Sequence, residues 1–234
     1  MLKEKILAII PARGGSKRLP DKNIKKMHGF PLIEWTIQAA IDSKVFEHVI
    51  VSTDSEKIAE IAKNAGADVP FLRPADLSGD EAKSNDVILH AINFLEENHL
   101  HFDSIALLQP TSPLRTAKHI QEAFKLKQLK QADAVISVCP CEHSPLWANS
   151  LPDDLSMDLF LNESIINKRS QDLPVHYRLN GAIYIIKKDL FLESKSFFST
   201  KNSFAYIMDT KSSIDIDEEL DFIMAETILS KCND

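Results

Sequence analysis

No apolar stretch in this chain approaches the roughly 20 residues needed to cross a bilayer as a helix. The opening Met1-Leu2-Lys3-Glu4-Lys5-Ile6 leads into an apolar run of only five residues, which does not read as a secretory leader. Cysteine is scarce: Cys139, Cys141 and Cys232 form an odd set with no CxxC spacing. That excludes a disulfide scaffold and makes reduced thiols and a cytoplasmic address the expectation. Six glycines and 11 prolines exclude fibrous and low-complexity classes, and no fixed-period repeat is present. Positive charge is also short, with 27 Lys+Arg against 34 Asp+Glu and a net charge of −7. Broad nucleic-acid or anionic-membrane binding needs a basic footprint, so neither partner is expected.

What is present is a globular composition, 44% hydrophobic over 234 residues, enough for one sizeable core and an accessory lobe. Continuous apolar runs alternate with helical periods. Ile6–Ile10, Val49–Val51, Ile105–Leu108 and Ala134–Val138 read as strands buried on both faces. Between them, Leu32, Trp35, Thr36, Ala39 and Ala40 mark one helix face, and Ile58, Ile61, Ala62 and Ala65 a second helix closed by Gly66. Helices are also expected from about Ser84 to Asn98, Ala117 to Leu129 and Asp217 to Leu229. This alternation predicts an α/β fold, a doubly wound and mainly parallel sheet of Rossmann-like type. The core is expected over 1–138 and 179–234. The rhythm breaks at 139–178, where four of the 11 prolines fall. That stretch reads as an inserted arm for subunit contact or, equally, as a long irregular loop.

Ligands of such sheets bind beyond the carboxyl ends of the strands, which singles out loops 11–26, 52–55, 73–84 and 109–116. The first holds a charge inversion: Arg13, Lys17, Arg18, Lys22, Lys25 and Lys26 against the single acid Asp21. In Pro11-Ala12-Arg13-Gly14-Gly15-Ser16-Lys17, paired glycines let main-chain N–H groups turn toward one point, and Arg13 and Lys17 add charge. The segment matches neither GxGxxG nor GxxxxGK[ST], and phosphate binding is favoured over a solvated basic turn. Near the other end lies Ser213-Ile214-Asp215-Ile216-Asp217. In an extended segment the two isoleucines take one face and the carboxylates the other. Carboxylates about 4 Å apart would repel by ~4 kcal/mol at an effective dielectric of 20, a sign that a divalent cation reverses. The spacing serves two readings equally, a Mg²⁺ site or Asp217 as cap of the last helix. Gln109, Thr111, Ser112 and Arg115 form a proline-stiffened polar turn. His28, His90, His119 and His143 show no metal-ligand spacing, and His90 reads as structural.

In order along the chain, IIPARGGSKRLPDKN, VSTD, RPADLSGDEAKS, LLQPTSPLR, NGAIYI and SIDID resemble the acylneuraminate cytidylyltransferases, also called CMP-sialic acid synthetases. The resemblance runs from about residue 6 to 229. It implies a nucleotidyltransferase core, a homodimer joined through an extension, and Mg²⁺-dependent transfer of CMP from CTP to a nine-carbon 2-keto sugar acid. It assigns Arg13, Lys17 and Lys22 to the triphosphate, with Gly14 and Gly15 in the same loop. Asn23, Arg73, Ala82 and Ser84 match positions around the cytidine. Gln109, Arg178, Asn180 and Tyr184 fall on the sugar side, and Asp215 and Asp217 match the metal carboxylates.

Two departures bear on the sugar. Where those enzymes carry a lysine after E-H-x-P-L, this chain has Trp147, and their arginine is replaced by Ser170, with Arg169 one position earlier. An indole makes the wall more apolar and removes a donor, which suits a 9-deoxy sugar with an N-acyl group at C7. EHSPLWANSLP is also similar to enzymes acting on legionaminic acid. That sugar is therefore the expected acceptor, with N-acetylneuraminate as the alternative. More distant rivals are a 3-deoxy-manno-octulosonate cytidylyltransferase, a metal-dependent glycosyltransferase and a non-catalytic nucleotide-binding or dimerisation protein.

Overall fold

The computed structural model describes residues 4–79 and 82–232, so Asp80 and Glu81 of the 73–84 loop lie outside the described residues. In chain order the elements are β1 (Ile6–Pro11), β2 (Lys26–Met27), β3 (Phe30–Pro31), α1 (Leu32–Ser43), β4 (His48–Ser52), α2 (Glu56–Asn64), α3 (Ser84–Glu97) and β5 (Ser104–Leu107). They continue with α4 (Ala117–Lys130), β6 (Ala134–Pro140), β7 (Tyr177–Lys187), α5 (Lys188–Ser194), β8 (Ser203–Ile207) and α6 (Glu219–Cys232). Six strands form one sheet in the order β4-β1-β5-β7-β6-β8. β1 pairs parallel with β4 and β5, and β6 parallel with β8. β7 runs antiparallel between β5 and β6. The expected doubly wound, mainly parallel sheet is therefore present, with one reversed strand.

Period-two geometry sends alternate side chains of β1 into two cores. Ile6, Ala8 and Ile10 pack with Ile33 and Ile37 of α1, Ala62 of α2 and Ile120 of α4. Leu7 and Ile9 join Ile88 and Ile92 of α3 and Phe191 of α5 on the opposite face. Burying each such aliphatic side chain contributes roughly 1.5–3 kcal/mol, which is why β1 tolerates no polar residue. A third cluster does something different. Leu19 of the basic loop, Leu32, Leu114, Ile216, Phe222 and Ala225 pack together, with Ile214 against them. This apolar clasp draws the 11–26 loop and the 213–217 segment to the same end of the sheet.

β6 and β7 are joined by the excursion. The β6–β7 pairing continues to Pro140↔Tyr177, so the sheet extends two residues further at each foot than the sequence reading had it. The excursion proper is 141–176. It is irregular apart from short 3-10 turns at Pro145–Trp147 and Ser170–Asp172. Ile165 and Leu173 are buried, whereas Leu155, Met157 and Leu159 are 69%, 60% and 86% exposed. β7 also carries a bulge. Ile136 faces Tyr184 while Val138 faces Leu179, so five steps on β7 oppose two on β6. Gly181, within it, has φ +74°, a conformation that L side chains rarely adopt.

Candidate active site

The loops after β1 and β5, together with the 73–84 segment, open into a cavity of about 540 Å³ at the carboxyl edge of the sheet. Arg13, Lys17, Arg18 and Lys22 line it from the first loop, with Asn23 beside them. Arg73, Ala82 and Ser84 contribute from the 73–84 region and the start of α3, Gln109 from the end of β5, and Asp217 from the far end of the chain. A cluster of cations around one cavity is a polyanion site by electrostatics alone.

The basic loop is fixed by two acceptor contacts. The Gly14 N–H donates to Asp54 Oδ1 at 2.9 Å, and Asn23 Nδ2 donates to the Arg13 carbonyl at 2.9 Å. A Cβ on Gly14 would meet Ser55 Cβ at 3.2 Å, tight enough to displace the turn, whereas one on Gly15 would meet nothing within 4 Å. Neither Gly14 nor Gly15 is among the residues lining the cavity. Arg73 is held at its main chain by an N–H bond to the Thr53 carbonyl at 2.7 Å. Its guanidinium lies 3.7 Å from Asp54. Burial lowers the Arg73 pKa and Arg13 lowers it further, while Asp54 acts the other way.

The acidic segment meets this loop directly. Lys22 Nζ donates to the Ile216 carbonyl at 2.6 Å and sits 3.5 Å from Asp217 Oδ1, and Arg18 Nη1 donates to Asp217 Oδ2 at 2.9 Å. The helix-cap reading of Asp217 fails. α6 starts at Glu219 rather than at the expected Asp217, and Asp221 accepts the N–H groups of both Asp217 and Glu218 at 2.9 Å. Asp217 thus has its carboxylate directed to the basic loop. Asp215 stands two residues before it on the same extended segment, with its side chain still open to solvent. Partial desolvation raises its pKa, with Asp217 and Asp221 adding to the rise and Thr111 and Lys22 opposing it. At Gly181 it is φ that requires glycine, since the nearest obstacle to a Cβ is the movable end of the Gln109 side chain. A Cβ would come within 2.9 Å of Gln109 Oε1 and 3.8 Å of Asp215 Oδ2. Tyr184 is near enough for Asp215 to add to the rise that burial causes in its pKa, and its ring packs on Phe197 at 5.5 Å between centroids.

Apart from Gln109, the residues expected on the sugar side, Tyr184 included, do not line the cavity, and neither does Asp215. Asn180 is 1% exposed and committed internally. It accepts from Ser137 Oγ at 2.6 Å and donates to Ser213 Oγ at 2.9 Å, which fixes the β7 bulge. Arg178 forms a two-pronged pair with Glu142 at the foot of the arm, at 2.6 and 3.1 Å. Arg169 pairs with Asp172 on the exposed arm, and half-buried Trp147 ends its first 3-10 turn.

The sequence reading gave no role to Asp54, which lies in VSTD, or to Asp221, which lies one helical turn past the acidic pair. Arg115 was noted only as part of a polar turn. It is fully buried, donates to the Gln109 and Ala182 carbonyls at 3.1 and 3.0 Å, and is pushed down to about 9 by desolvation. Its Nε and Nη2 have no hydrogen-bond partner among the described residues.

A mixed α/β sheet with a cationic turn and an acidic residue converging at its carboxyl edge defines the nucleotidyltransferase class. The sequence profile described as Cytidylyltransferase matches residues 7–230. The chain is 39% identical over 231 residues to a CMP-N,N'-diacetyllegionaminic acid synthase of Legionella pneumophila, covering 96% of each. It is 44% identical over 234 residues to an N-acylneuraminate cytidylyltransferase of Escherichia coli, covering 99% of this chain and 54% of that protein. The chain therefore spans about half the length of one relative and nearly all of the other. Its fold also matches a solved CMP:2-keto-3-deoxy-manno-octonic acid synthetase in complex with CTP, with TM-score 0.71, 14% identity, and coverage of 97% of this chain and 99% of that one. The chain belongs to the cytidylyltransferase family.

Proposed function

We propose that this chain transfers CMP from CTP to the anomeric hydroxyl of a nine-carbon 2-keto sugar acid, with legionaminic acid as the preferred acceptor. The observation that carries the reading is the meeting of Arg18 and Lys22 with Asp217 at the rim of one cavity. The sugar's 2-hydroxyl oxygen forms a bond to the α-phosphorus while the bond to the bridging β-oxygen breaks, so pyrophosphate leaves and the hydroxyl gives up its proton. A triphosphate and a sugar carboxylate bring several negative charges together, and neutralising them dominates the barrier. Arg13, Lys17 and Lys22 hold the β- and γ-phosphate oxygens. Asn23, Arg73, Ala82 and Ser84 surround the cytidine, and Gln109 faces the sugar.

The donor set fits Mg²⁺, which takes one or two carboxylates and completes its shell with substrate phosphates and water. Asp215 and Asp217 would hold the ion, and their mutual repulsion is part of what raises the Asp215 pKa. When bound, it supplies charge neutralisation at the phosphate oxygens. The Trp147 replacement supports legionaminic acid over N-acetylneuraminate on the sequence argument alone, because Trp147 does not line the cavity of this chain, and the 44% relative acts, by its name, on N-acylneuraminate. The exposed Leu155, Met157 and Leu159 support a homodimer joined through the arm. A cytoplasmic site of action fits the reduced-thiol reading of the cysteines.

The test is pyrophosphate release from CTP, measured with and without Mg²⁺ and with each sugar acid in turn. Release that requires both, with kcat/KM higher for legionaminic acid, is the expected result. A higher value for N-acetylneuraminate overturns the sugar assignment, and absence of release with every sugar acid overturns the transfer reaction.

A further inference from the structure

We propose that Asp54 is a positioning residue of this site: one of its carboxylate oxygens registers the glycine turn against Arg73. The inference rests on the CTP reading above and deepens it. Asp54 follows β4 at its carboxyl end; its side chain is 27% exposed, and it contacts Arg73 and the Arg13–Gly14 turn rather than lining the cavity itself. The same atom, Oδ1, accepts the Gly14 N–H at 2.9 Å and faces Arg73 Nη2 at 3.7 Å. Arg73 in turn hangs from the preceding residue through its main-chain bond to the Thr53 carbonyl. Ser55, the next residue, lies 3.2 Å from where a Gly14 Cβ would stand and caps α2 by accepting the Ile58 N–H.

Three consecutive residues, Thr53, Asp54 and Ser55, thus set the spacing between the two parts of the site that would take opposite ends of a nucleotide. Strand β4 is rigidly paired with β1 from Leu7↔His48 to Pro11↔Ser52. The loop and Arg73 therefore inherit a fixed separation through Asp54 rather than through each other. Position, not charge, is the property that matters in this account. An oxygen at the Oδ1 location accepts the Gly14 N–H whether or not the side chain is ionised, while Arg73 Nη2, at 3.7 Å, faces it from beyond hydrogen-bond distance.

Two substitutions separate these properties. D54N keeps an acceptor at the same reach and removes the charge. D54E keeps the charge and moves the oxygen outward by one methylene. CTP affinity is measured by calorimetry on the full chain, and loop anchoring by the rate of tryptic cleavage after Arg13, Lys17 or Arg18. The expected result is that D54E weakens CTP binding about tenfold and speeds cleavage, whereas D54N stays within about threefold on both. If D54E binds CTP as the natural chain does, or D54N falls as far as D54E, the proposal is overturned. If the natural chain does not bind CTP at all, the function proposed above fails, and the cleavage rates still decide whether Asp54 anchors the turn.

Discussion

The loop edge of the sheet and the arm at 141–176 solve opposite problems with opposite materials. At the edge, the main chain that carries the functional side chains is held at several points. Asp54 holds Gly14, the Thr53 carbonyl holds Arg73, Asp221 pins the main chain of Asp217, and the clasp of Leu19, Ile216 and Phe222 brings the two chain ends together. On the arm, Arg169 pairs with its neighbour Asp172, and large apolar side chains face outward. A preorganised edge suits chemistry that a whole family shares. A loosely supported arm suits a contact or a preference that differs between members.

That contrast can be broken by substitution. The largest effect is expected at the edge: D217A should lower pyrophosphate release by two orders of magnitude or more, roughly the loss of several kcal/mol of charge stabilisation, with CTP affinity much less affected. Near-normal turnover would remove Asp217 from the chemistry. G181A comes next. It forces a Cβ into a left-handed position 2.9 Å from Gln109 Oε1. A cost of about 1–3 kcal/mol should lower Tm by several degrees and raise the sugar KM, as read by calorimetry and steady-state kinetics. On the arm, L159E should leave Tm and CTP affinity nearly unchanged while shifting a dimer toward monomer in sedimentation, because that side chain is 86% exposed.

The smallest effect sharpens the comparison rather than breaking it. Partial desolvation and Asp217 raise the Asp215 pKa, so the folded protein binds a proton there that the unfolded chain has already released. The stability that this proton provides is full below the ordinary carboxylate value and is lost as pH rises through the raised one. D215N should therefore unfold at a higher temperature than the natural chain at neutral pH, with the gap closing in acid, while losing activity. A variant that tracks the natural chain at every pH would show that Asp215 carries no such strain.

Much of the edge was legible because its signals are local. Apolar runs bounded by Gly, Pro and charge gave the strands, and the density of cations over 13–26 marked the loop. Period two on Ile214 and Ile216 foretold which side Asp215 would take, and both isoleucines do pack in the clasp. What the sequence hid depends on contacts between distant segments. The reversed direction of β7 follows from pairing, not from composition. The role of Asn180 is set by Ser137 and Ser213, which lie 43 and 33 residues away. Asp217 looked like a helix cap because Asp before Glu-Glu is a good start signal, but the helix starts two residues later and Asp221, within its first turn, reaches back to the N–H groups of Asp217 and Glu218. Arg115 gave no warning of its burial, since an arginine closing a turn is normally solvated.

The arm departs from β6 and returns on β7, two strands hydrogen-bonded to each other right up to Pro140 and Tyr177. Both its feet therefore stand side by side on a single hairpin, so its contents can be exchanged without altering strand order or the loops at the sheet's working edge. On the function proposed above, acceptor preference and subunit pairing can drift, or be grafted from a relative as one cassette, while the nucleotide chemistry stays where it is.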